Sequence, residues 1–341
     1  MAKTTFESGT ETTKDDPNLM IDVVVIDGNS YAHRVGNVMS LVTHRGEETS
    51  VSFGMLNMIR VLIERNKPKE VCVCWDYKGS QSKKELYPEY KKRPHKEGTL
   101  EIYKMVNQQI LELYEILPSF GIKQLRIAGI EADDLIGIIA QYLGNTRRTL
   151  VVSSDHDLWQ LVAFPGIKVY HPQKDLTLSS ENFEEKVGFK PEMWVWFRSI
   201  MGDTGDNIKG LKWFGEKTAR ELLAKFGPWT NWWGNILQGN ETLRPEILAC
   251  LNKRQKESIL APDACETLTI SYALTKVGML DIRRSPEIIK SYDEQTPKFD
   301  EEAIKGFFFT KEFNSILARF RSWIHPFRMM TLHEGLLDEK P

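Results

Sequence analysis

Four short apolar runs recur in the first half of the chain, and helical stretches separate them. The runs are rich in β-branched or apolar residues, as buried parallel strands are. Strands that alternate with helices form βαβ units, so the sequence predicts an α/β fold with a mainly parallel sheet. The predicted strands are 22–26, 70–75, 124–128 and 149–154, and the predicted helices are roughly 49–66, 99–118 and 132–143.

An acidic residue stands at or near the end of each predicted strand. In open α/β sheets, ligands bind beyond the carboxyl ends of the strands, so we expect these carboxylates to converge at one edge. A single surface acid after a strand is common, whereas four in succession indicate a site. The four residues are Asp27, Asp76, Glu131 and Asp155.

Nine carboxylates are expected at this edge once the acids of three nearby motifs are included. Each has a simpler explanation alone, since acids also cap helix starts and form turns. Together they would repel one another, and divalent cations would relieve that repulsion. Carboxylate oxygens suit Mg²⁺, no His or Cys cluster suits zinc, and two ions about 4 Å apart would suit phosphodiester cleavage. The nine are Asp27, Asp76, Glu131, Asp133, Asp134, Asp155, Asp157, Asp203 and Asp206.

The segment 77–98, which we call the basic segment, interrupts the alternation of strands and helices. It reads YKGSQSKKELYPEYKKRPHKEG and contains seven Lys or Arg residues against three Glu residues. An insertion of this length inside a compact domain is usually functional or disordered. A solvated basic face is the simpler explanation for its lysines.

Beyond about residue 190 the pattern becomes helical. An amphipathic helix, a glycine-bounded turn at 202–210 and a second helix at 216–226 predict a helix–turn–helix over about 190–227. A glycine-rich helix start can present backbone N–H groups to a phosphate. The sequence therefore divides into a polar, disordered tail at 1–19, an α/β catalytic domain at 20–188 and a helical region at 189–341.

Bulk composition is that of an ordinary globular protein. Hydrophobic residues make up 41% and charged residues 27% of the 341 positions, and the net charge is −2. The four cysteines form no CxxC pair, and Cys72 and Cys74 are expected to face one side of a strand in a reducing compartment. The N-terminus lacks the apolar core of a signal peptide, and no run is long enough to span a membrane. We therefore expect a cytoplasmic protein. Trp229, Trp232 and Trp233 are interpreted as core residues.

Five motifs in order resemble the 5′-nuclease superfamily, which comprises flap endonucleases and 5′–3′ exonucleases. The resemblance covers residues 21–228 and is greatest to stand-alone bacteriophage enzymes and to the 5′-nuclease domain of bacterial DNA polymerase I. Each motif alone is a weak or moderate signal, but five in the family's order are a strong one. They are IDGNS at 26–30, ELYPEYK at 85–91, GIEADD at 129–134, SSDHD at 153–157 and MGDTGDN at 201–207.

The resemblance implies a PIN-like α/β domain in which the basic segment forms a helical arch and residues 190–227 form a helix–three-turn–helix. It implies two Mg²⁺ ions, for which Mn²⁺ can substitute. The first five of the nine acids would serve one ion and the last four the other. Lys91, Asp27 and Asp155 would be the catalytic residues, with Lys91 stabilising the scissile phosphate.

The resemblance also implies contacts to nucleic acid. Tyr90 matches an aromatic residue that can stack on a base, and the helix–three-turn–helix grips duplex phosphates. Relatives can hold a K⁺ ion in its turn, and a K⁺ ion is possible here, although Trp213 replaces a glycine of that turn and weakens the expectation. Lys209 stands where proline is common. The predicted nucleic-acid contacts are Arg34, Lys83, Lys84, Tyr90, Lys91, Arg93, Lys209, Lys212 and Lys217.

The expected function is that of a Mg²⁺-dependent, structure-specific 5′-nuclease. It would act on DNA with a 5′ flap or 5′ end and on RNA–DNA hybrids, removing primers as a monomer beside a polymerase or single-stranded-DNA-binding protein. If a phage encodes it, the compartment is the host cytoplasm. A PIN-type endoribonuclease is an alternative, against which the helix–turn–helix argues. A catalytically inactive DNA-binding scaffold is another, against which the complete set of acids argues.

Overall fold

A six-stranded sheet forms the centre of the protein. The computed structural model describes residues 20–36, 40–92, 99–231 and 243–335. The strand order is β3–β2–β1–β4–β5–β6, and all neighbours are parallel except for the antiparallel pair β5–β6. The strands are β1 Val23–Asp27, β2 Glu70–Cys74, β3 Lys123–Leu125, β4 Thr149–Val152, β5 Ile167–His171 and β6 Leu176–Leu178.

Helices cover both faces of this sheet, and a small hairpin lies apart from it. The hairpin strands are β7 Gly202–Asp203 and β8 Ile208–Lys209. Short 3₁₀ segments occur at Leu117–Phe120, His156–Ala163, Pro191–Met193 and Ile282–Arg284. The α-helices are α1 Gly28–Gly36, α2 Ser50–Asn66, α3 Gln81–Leu86, α4 Thr99–Ile116, α5 Ala132–Gly144, α6 Phe183–Val187, α7 Trp194–Met201, α8 Glu216–Phe226, α9 Leu243–Ala249, α10 Lys253–Ile259, α11 Ala264–Thr275, α12 Ser285–Asp293, α13 Glu301–Thr310, α14 Asn314–Leu317 and α15 Phe320–Gly335.

The side chains of β1 alternate between two hydrophobic cores. Val23 and Val25 pack in one core with α5, and Val24 and Ile26 pack in the other with α2. This alternation follows from the two-residue period of a strand. On β2, Cys72 and Cys74 both lie in the first core as free thiols, so the prediction that they share a face is confirmed.

The predicted α/β alternation is confirmed, with differences at the ends of elements. The third strand is shorter than predicted, and the residues after β4 form a 3₁₀ segment. Strands β5 and β6 were not predicted. In β5 every second residue is only half-buried, and β6 is a three-residue edge strand, so neither forms the continuous apolar run of a buried parallel strand.

The helices after residue 188 share the two cores with the sheet. Phe308, Trp323 and Phe327 lie in the core that contains α2, whereas Leu268 and Ile288 lie in the core that contains α5. Trp229 is buried, as expected of a core residue, and Trp232 and Trp233 lie outside the described residues. The predicted tail at 1–19 also lies outside them.

The strand order positions the site. From β1 the chain first adds β2 and β3 on one side, and it then crosses to place β4 on the other side of β1. The carboxyl ends of β1 and β4 therefore flank a topological switch point, where open α/β sheets bind ligands. Among the described residues, no helix combines the length and apolar character needed to cross a membrane.

Candidate active site

Asp27 is held at the carboxyl end of β1 by two serines. It is buried, its Oδ1 accepts a hydrogen bond from the N–H of Ser30 (2.9 Å) and its Oδ2 accepts one from the hydroxyl of Ser153 (2.7 Å). Burial raises the pKa of Asp27 to about 7, the two hydrogen bonds oppose the rise, and the charges of Asp76 and Asp155 add to it. The acids that follow three strands thus act on one another, as their positions predicted.

Asp76 joins the end of β2 to the start of α5. Its Oδ1 accepts a hydrogen bond from the N–H of Ala132 (2.7 Å), and its own N–H donates to Oδ1 of Asn29 (2.9 Å). The first N–H groups of a helix lack partners within the helix. Asp76 therefore caps α5 from outside and fixes the turn that carries Glu131, the N-cap residue of this helix.

Glu131, Asp133 and Asp134 form a group that we call the carboxylate cluster. One oxygen from each lies within 4.8 Å of the other two. The ammonium of Lys83, on α3, lies 3.1 Å from Oε2 of Glu131 and 3.2 Å from Oδ2 of Asp133. It lies 2.8 Å from Oδ2 of Asp134, and Lys83 is 1% exposed. The structure therefore corrects the expectation that Lys83 faces nucleic acid, because its charge is enclosed by carboxylates.

Burial and the neighbouring lysine charges have opposite effects on the pKa values of the carboxylate cluster. Burial raises the pKa of Asp134 to about 7 although Lys83 opposes the rise. Burial also disfavours ionisation of Asp133, but the charges of Lys83 and Lys91 outweigh it and lower the pKa of that carboxyl. The contact of Lys83 with Oδ2 of Asp134 lacks hydrogen-bond geometry, so this buried oxygen has no hydrogen-bond donor among the described residues.

Tyr90 and Lys91 of the basic segment close the carboxylate cluster. The Lys91 ammonium lies 2.8 Å from Oε1 of Glu131 and 3.7 Å from Oδ2 of Asp206, and its side chain is 40% exposed. The Tyr90 hydroxyl donates to Oε2 of Glu131 (2.8 Å), and the ring is buried. Lys91 thus lies beside the acids at an open position. The expected base-stacking face of Tyr90 is covered in this structure, because its ring packs inside the site.

Arg198, on α7, bridges two of the remaining acids. Its Nε donates to Oδ1 of Asp157 and its Nη2 donates to Oδ2 of Asp203, both at 2.6 Å. Oδ1 of Asp155 accepts a hydrogen bond from the N–H of Asp157 (2.7 Å). Burial raises the pKa of Asp157 to about 7, the charge of Asp155 adds to the rise, and Arg198 opposes it.

Two glycines allow the β7–β8 hairpin to carry its acids into the site. Gly202 has a φ of +67°, and a Cβ there would lie 2.3 Å from the backbone nitrogen of Gly210. A Cβ on Gly210 would lie 2.3 Å from the carbonyl oxygen of Ile200. Such contacts exclude side chains at both positions. The close backbone approach holds Asp203 and Asp206 in the hairpin.

The hairpin is also fastened to the basic segment. The N–H of Lys91 donates to the carbonyl of Asp206 (3.0 Å), and Nδ2 of Asn207 donates to the carbonyl of Glu89 (2.7 Å). The segment 77–92 therefore lies over the acids and contacts both the start of α5 and the hairpin. The rest of the predicted arch, residues 93–98 including Arg93, lies outside the described residues.

The other predicted nucleic-acid residues lie at the surface. Lys217 has a 90% exposed side chain that lies 3.9 Å from Glu221. Trp213 has a φ of +66°, so it takes the left-handed conformation that a glycine would adopt, and the turn forms without that glycine. Lys84, Lys209 and Lys212 are exposed, and Arg34 is partly exposed.

Three functional neighbours of the acids were missed by sequence reasoning. Asn29 lies in the motif IDGNS and Ser153 in the motif SSDHD, but no role was predicted for either residue. Arg198 gave one usable signal: it is a single cation within the otherwise apolar helix WVWFRSIM. A charge in such a helix needs a partner when it is partly buried.

Comparison with known proteins agrees with this geometry. The family model described as 5′–3′ exonuclease, N-terminal resolvase-like domain, matches residues 22–188. The 5′–3′ exonuclease of Buchnera aphidicola subsp. Acyrthosiphon pisum is 32% identical over 278 residues, which cover 79% of this chain and 92% of that protein. The thermostable DNA polymerase I of Thermus thermophilus is 29% identical over 301 residues, which cover 87% of this chain but only 33% of the polymerase.

The fold has matches among solved structures. The D15 protein of bacteriophage T5, co-crystallised with metal ions, superposes with a TM-score of 0.63 at 18% identity, covering 80% of this chain and 99% of that one. The sheet and its flanking helices thus define a PIN-like α/β nuclease fold of the flap-endonuclease type. The chain belongs to the 5′–3′ exonuclease family.

Proposed function

We propose that this chain is a Mg²⁺-dependent, structure-specific 5′-nuclease that hydrolyses DNA bearing a 5′ flap or a free 5′ end. One observation carries the proposal. The β7–β8 hairpin supplies Asp203 and Asp206 to the acids and leads into the turn between α7 and α8. A single hairpin therefore joins the hydrolytic site to the element predicted to grip a duplex.

The residues present fit divalent ions with a preference for oxygen. The donors are all carboxylates, and three of them place oxygens within 4.8 Å of one another. The buried Oδ2 of Asp134 accepts no hydrogen bond among the described residues and faces only the Lys83 ammonium at 2.8 Å, so it keeps lone pairs that could bind a metal ion. We propose two Mg²⁺ sites, at which Mn²⁺ can substitute. The ligands of the first would be Asp27, Asp76, Glu131, Asp133 and Asp134, and those of the second Asp155, Asp157, Asp203 and Asp206.

The side chains around these acids divide the remaining tasks. Bound ions would supply Lewis-acid stabilisation of a phosphoryl oxygen and a water of lowered pKa. Lys91 would place its partly exposed ammonium against the developing negative charge of the phosphate. Ser30 and Ser153 fix the orientation of Asp27, the first catalytic acid, beside Asp155, the second. Arg198 holds Asp157 and Asp203 together.

The proposed DNA surface comprises the predicted cations, apart from the buried Lys83. Lys209, Lys212 and Lys217 would neutralise duplex phosphates, an interaction that is independent of sequence. Arg34, Lys84 and Arg93 would contact the strand that ends at the site. Lys83 and Tyr90 are left out because both are buried. A K⁺ ion in the turn is not part of this proposal.

Relatives suggest the biological setting. The T5 D15 structures include a flap-endonuclease complex with DNA and metal ions, and several relatives are DNA polymerases I. We propose that this chain removes 5′ ends, including RNA primers in RNA–DNA hybrids, during DNA replication. It would act as a monomer beside a polymerase or a single-stranded-DNA-binding protein in the cytoplasm, which is the host's if a phage encodes it.

A cleavage assay tests the proposal. Wild-type protein is given 5′-flap, nicked and single-stranded DNA, and single-stranded RNA, in Mg²⁺ or in EDTA. We expect Mg²⁺-dependent release of the flap, and Asp155→Asn should bind the flap without cutting it. Asp293→Asn, at an exposed acid on α12, is the matched control and should cut normally. Preference for RNA would support an endoribonuclease, and binding without cleavage by the wild type would support a scaffold.

A further inference from the structure

Trp213 combines exposure with an unusual backbone conformation. Its side chain is 63% exposed, and its φ of +66° lies in the left-handed region that bulky residues rarely adopt. An exposed apolar ring contributes no burial energy to the fold, and the left-handed backbone conformation adds strain. Such outliers persist where the surrounding structure enforces them, and they cluster at functional sites.

The surrounding structure does enforce this conformation. Nε2 of Gln255 donates to the carbonyl of Trp213 (3.1 Å) and to Oγ1 of Thr218 (3.0 Å). Gln255 is buried and forms a reciprocal capping box with Asn252 at the start of α10. The start of α10 is thereby tied to the turn before α8. This contact brings Arg254 of α10 next to Trp213.

Arg254 and Trp213 form a pair at the surface. The guanidinium carbon lies 4.8 Å from the centroid of the indole ring, within cation–π range, and Arg254 is exposed. Lys253 and Lys212, which directly precede Arg254 and Trp213 in sequence, are both exposed. The nearby acids Glu216 and Glu221 lie close to Arg220 and Lys217, respectively. The pair and its lysine neighbours thus present a net positive surface with a flat aromatic face.

A groove adjoins this surface at Lys212. Its volume is about 520 Å³, and it lies between the stretch 207–212 of the hairpin and turn and the stretch 258–267 of α10 and α11. Thr204 and Asn207 of the hairpin line this groove, together with Lys209 and Lys212. Asp263 is the acid in its lining. The two lysines make the groove a neighbouring place for phosphates.

We propose that Trp213 and Arg254, with Lys253, form a second duplex contact that extends the grip of the turn onto α10. The indole would lie against deoxyribose at the edge of the groove of the DNA, and the two cations would contact the adjacent phosphates. The occupant that fits is a DNA duplex, because the surface is positively charged and adjoins the turn that is proposed to hold duplex phosphates. The bases of a duplex are stacked internally, so its sugars and phosphates are the groups that can contact this surface. The inference rests on the proposed function, since it requires a duplex at the neighbouring turn.

Trp213→Gly is the decisive variant. Glycine adopts a φ of +66° without strain, so this change removes the ring and leaves the turn at least as stable. Fluorescence anisotropy with a blunt DNA duplex, in the Asp155→Asn background, measures affinity over a series of salt concentrations. We expect Trp213→Gly to weaken binding about tenfold with an unchanged salt slope. Arg254→Ala should also weaken binding and should reduce the salt slope by about one ion. The effects of the two changes should not add, because the residues touch.

Matched controls and outcomes separate this inference from the proposed function. Phe309→Ala and Lys305→Ala remove an exposed ring and an exposed cation from α13, and both should leave affinity unchanged. Absence of duplex binding by every protein, including the parent, would reject the proposed function. Normal binding by the parent and equal binding by Trp213→Gly and Arg254→Ala would overturn this inference alone. A lower melting temperature for Trp213→Gly would also count against it, since that result makes the ring structural.

Discussion

Lys83 and Asp134 form a buried ion pair in which the ammonium nitrogen lies 2.8 Å from Oδ2 and each side chain is 1% exposed. Glu131 and Asp133 share the same ammonium. When all three carboxylates are ionised, the charge of Lys83 and the charge of Lys91, which lies 2.8 Å from Glu131, leave one negative charge uncompensated. The buried Lys83 thus holds the acids together in the folded chain, and the negative charge that remains favours the binding of a metal ion.

Replacing Lys83 with methionine should destabilise the metal-free protein. The change preserves much of the buried volume but removes the buried counter-ion of three neighbouring carboxylates, which leaves Lys91 as the nearest cation. Breaking a buried ion pair by removing one partner costs about 3–5 kcal/mol, so we expect a loss of that size in urea unfolding with EDTA. Mg²⁺ should recover a larger part of the stability in the variant than in the wild type, because it replaces the lost charge.

Lys84→Met is the control for Lys83→Met. Lys84 is the next residue on the same short helix, but its side chain is exposed. Its replacement should change the free energy of unfolding by less than about 0.5 kcal/mol. A metal-free Lys83→Met protein as stable as the wild type would show that the acids are held apart by other means.

Arg198 should control the affinity of the second proposed metal site. Its guanidinium holds Asp157 and Asp203 through two hydrogen bonds of 2.6 Å. Without that bridge the two carboxylates repel, and Asp203 is free to turn away with its loop. We expect Arg198→Gln to lose the weaker of two bound Mn²⁺ ions, counted by electron paramagnetic resonance, and to keep the tighter one. Arg198→Lys should recover little, because an ammonium lacks the planar fork that spans both acids.

Lys91 should act on the chemical step of the reaction. Its ammonium sits between Glu131 and Asp206 and remains 40% exposed, so a phosphate can reach it. We expect Lys91→Ala to slow single-turnover flap cleavage about 100-fold, which is the size of effect seen when one charge-stabilising donor is removed. Flap affinity in the Asp155→Asn background should fall only modestly. A loss confined to affinity would remove Lys91 from the transition state.

The sequence predicted the acids better than it predicted their counter-ions. Strand ends are visible as apolar runs that stop at a carboxylate, and parallel strands bring their carboxyl ends to one edge of the sheet. Asp27, Asp76 and Asp155 could be grouped on that basis alone. Lys83 could not be separated from Lys84, because a basic run gives no sign of which lysine turns inward.

Long-range packing sets the features that the sequence did not reveal. The C-terminal helices carry an ordinary apolar pattern, and nothing local shows that Trp323 packs in the same core as α2 while Ile288 packs in the opposite one. Arg198 gains its role only because α7 places it between a 3₁₀ segment and a hairpin. Such pairings depend on chain topology and not on local propensity.

Asp22 should give a pH-dependent contribution to stability outside the active site. Its carboxylate contacts Arg148 at 3.1 Å and Lys69 at 3.0 Å. Burial opposes its ionisation, but hydrogen bonds from Arg148 and Lys69 outweigh burial and lower its pKa to about 2. A folded pKa below the ordinary value of 3.8 stabilises the fold above that pH, and the contribution is lost as pH falls towards 2.

Asp22→Asn should therefore cost about 1 kcal/mol at pH 7, after allowance for solvent screening. The difference in unfolding free energy between variant and wild type, measured by urea unfolding, should narrow as pH falls from about 4 towards 2. Glu257→Gln, at an exposed acid on α10, is the control at pH 7 and should change the free energy of unfolding by less than about 0.5 kcal/mol. If the difference in unfolding free energy stayed constant with pH, the loss in the variant would come from altered hydrogen-bond geometry and not from the lost charge of Asp22.

Gly202→Ala should disrupt the hairpin on which the second proposed metal site depends. A Cβ at this position would lie 2.3 Å from the nitrogen of Gly210 and 2.6 Å from the carbonyl oxygen of Ile208, and both atoms belong to backbone that cannot move aside alone. The positive φ adds strain of its own. We expect a loss of at least about 3 kcal/mol in unfolding free energy, or an opened hairpin that no longer binds the second Mn²⁺ ion.

Gly306→Ala tests whether that loss is specific to the hairpin. Gly306 lies within α13, where an added Cβ meets no atom within 4 Å. Alanine there should raise the free energy of unfolding by about 0.5–1 kcal/mol, because it restricts the unfolded chain and favours the helix. If Gly202→Ala proved as stable as Gly306→Ala and bound both Mn²⁺ ions, the backbone contact between Gly202 and Gly210 would not be what positions Asp203 and Asp206.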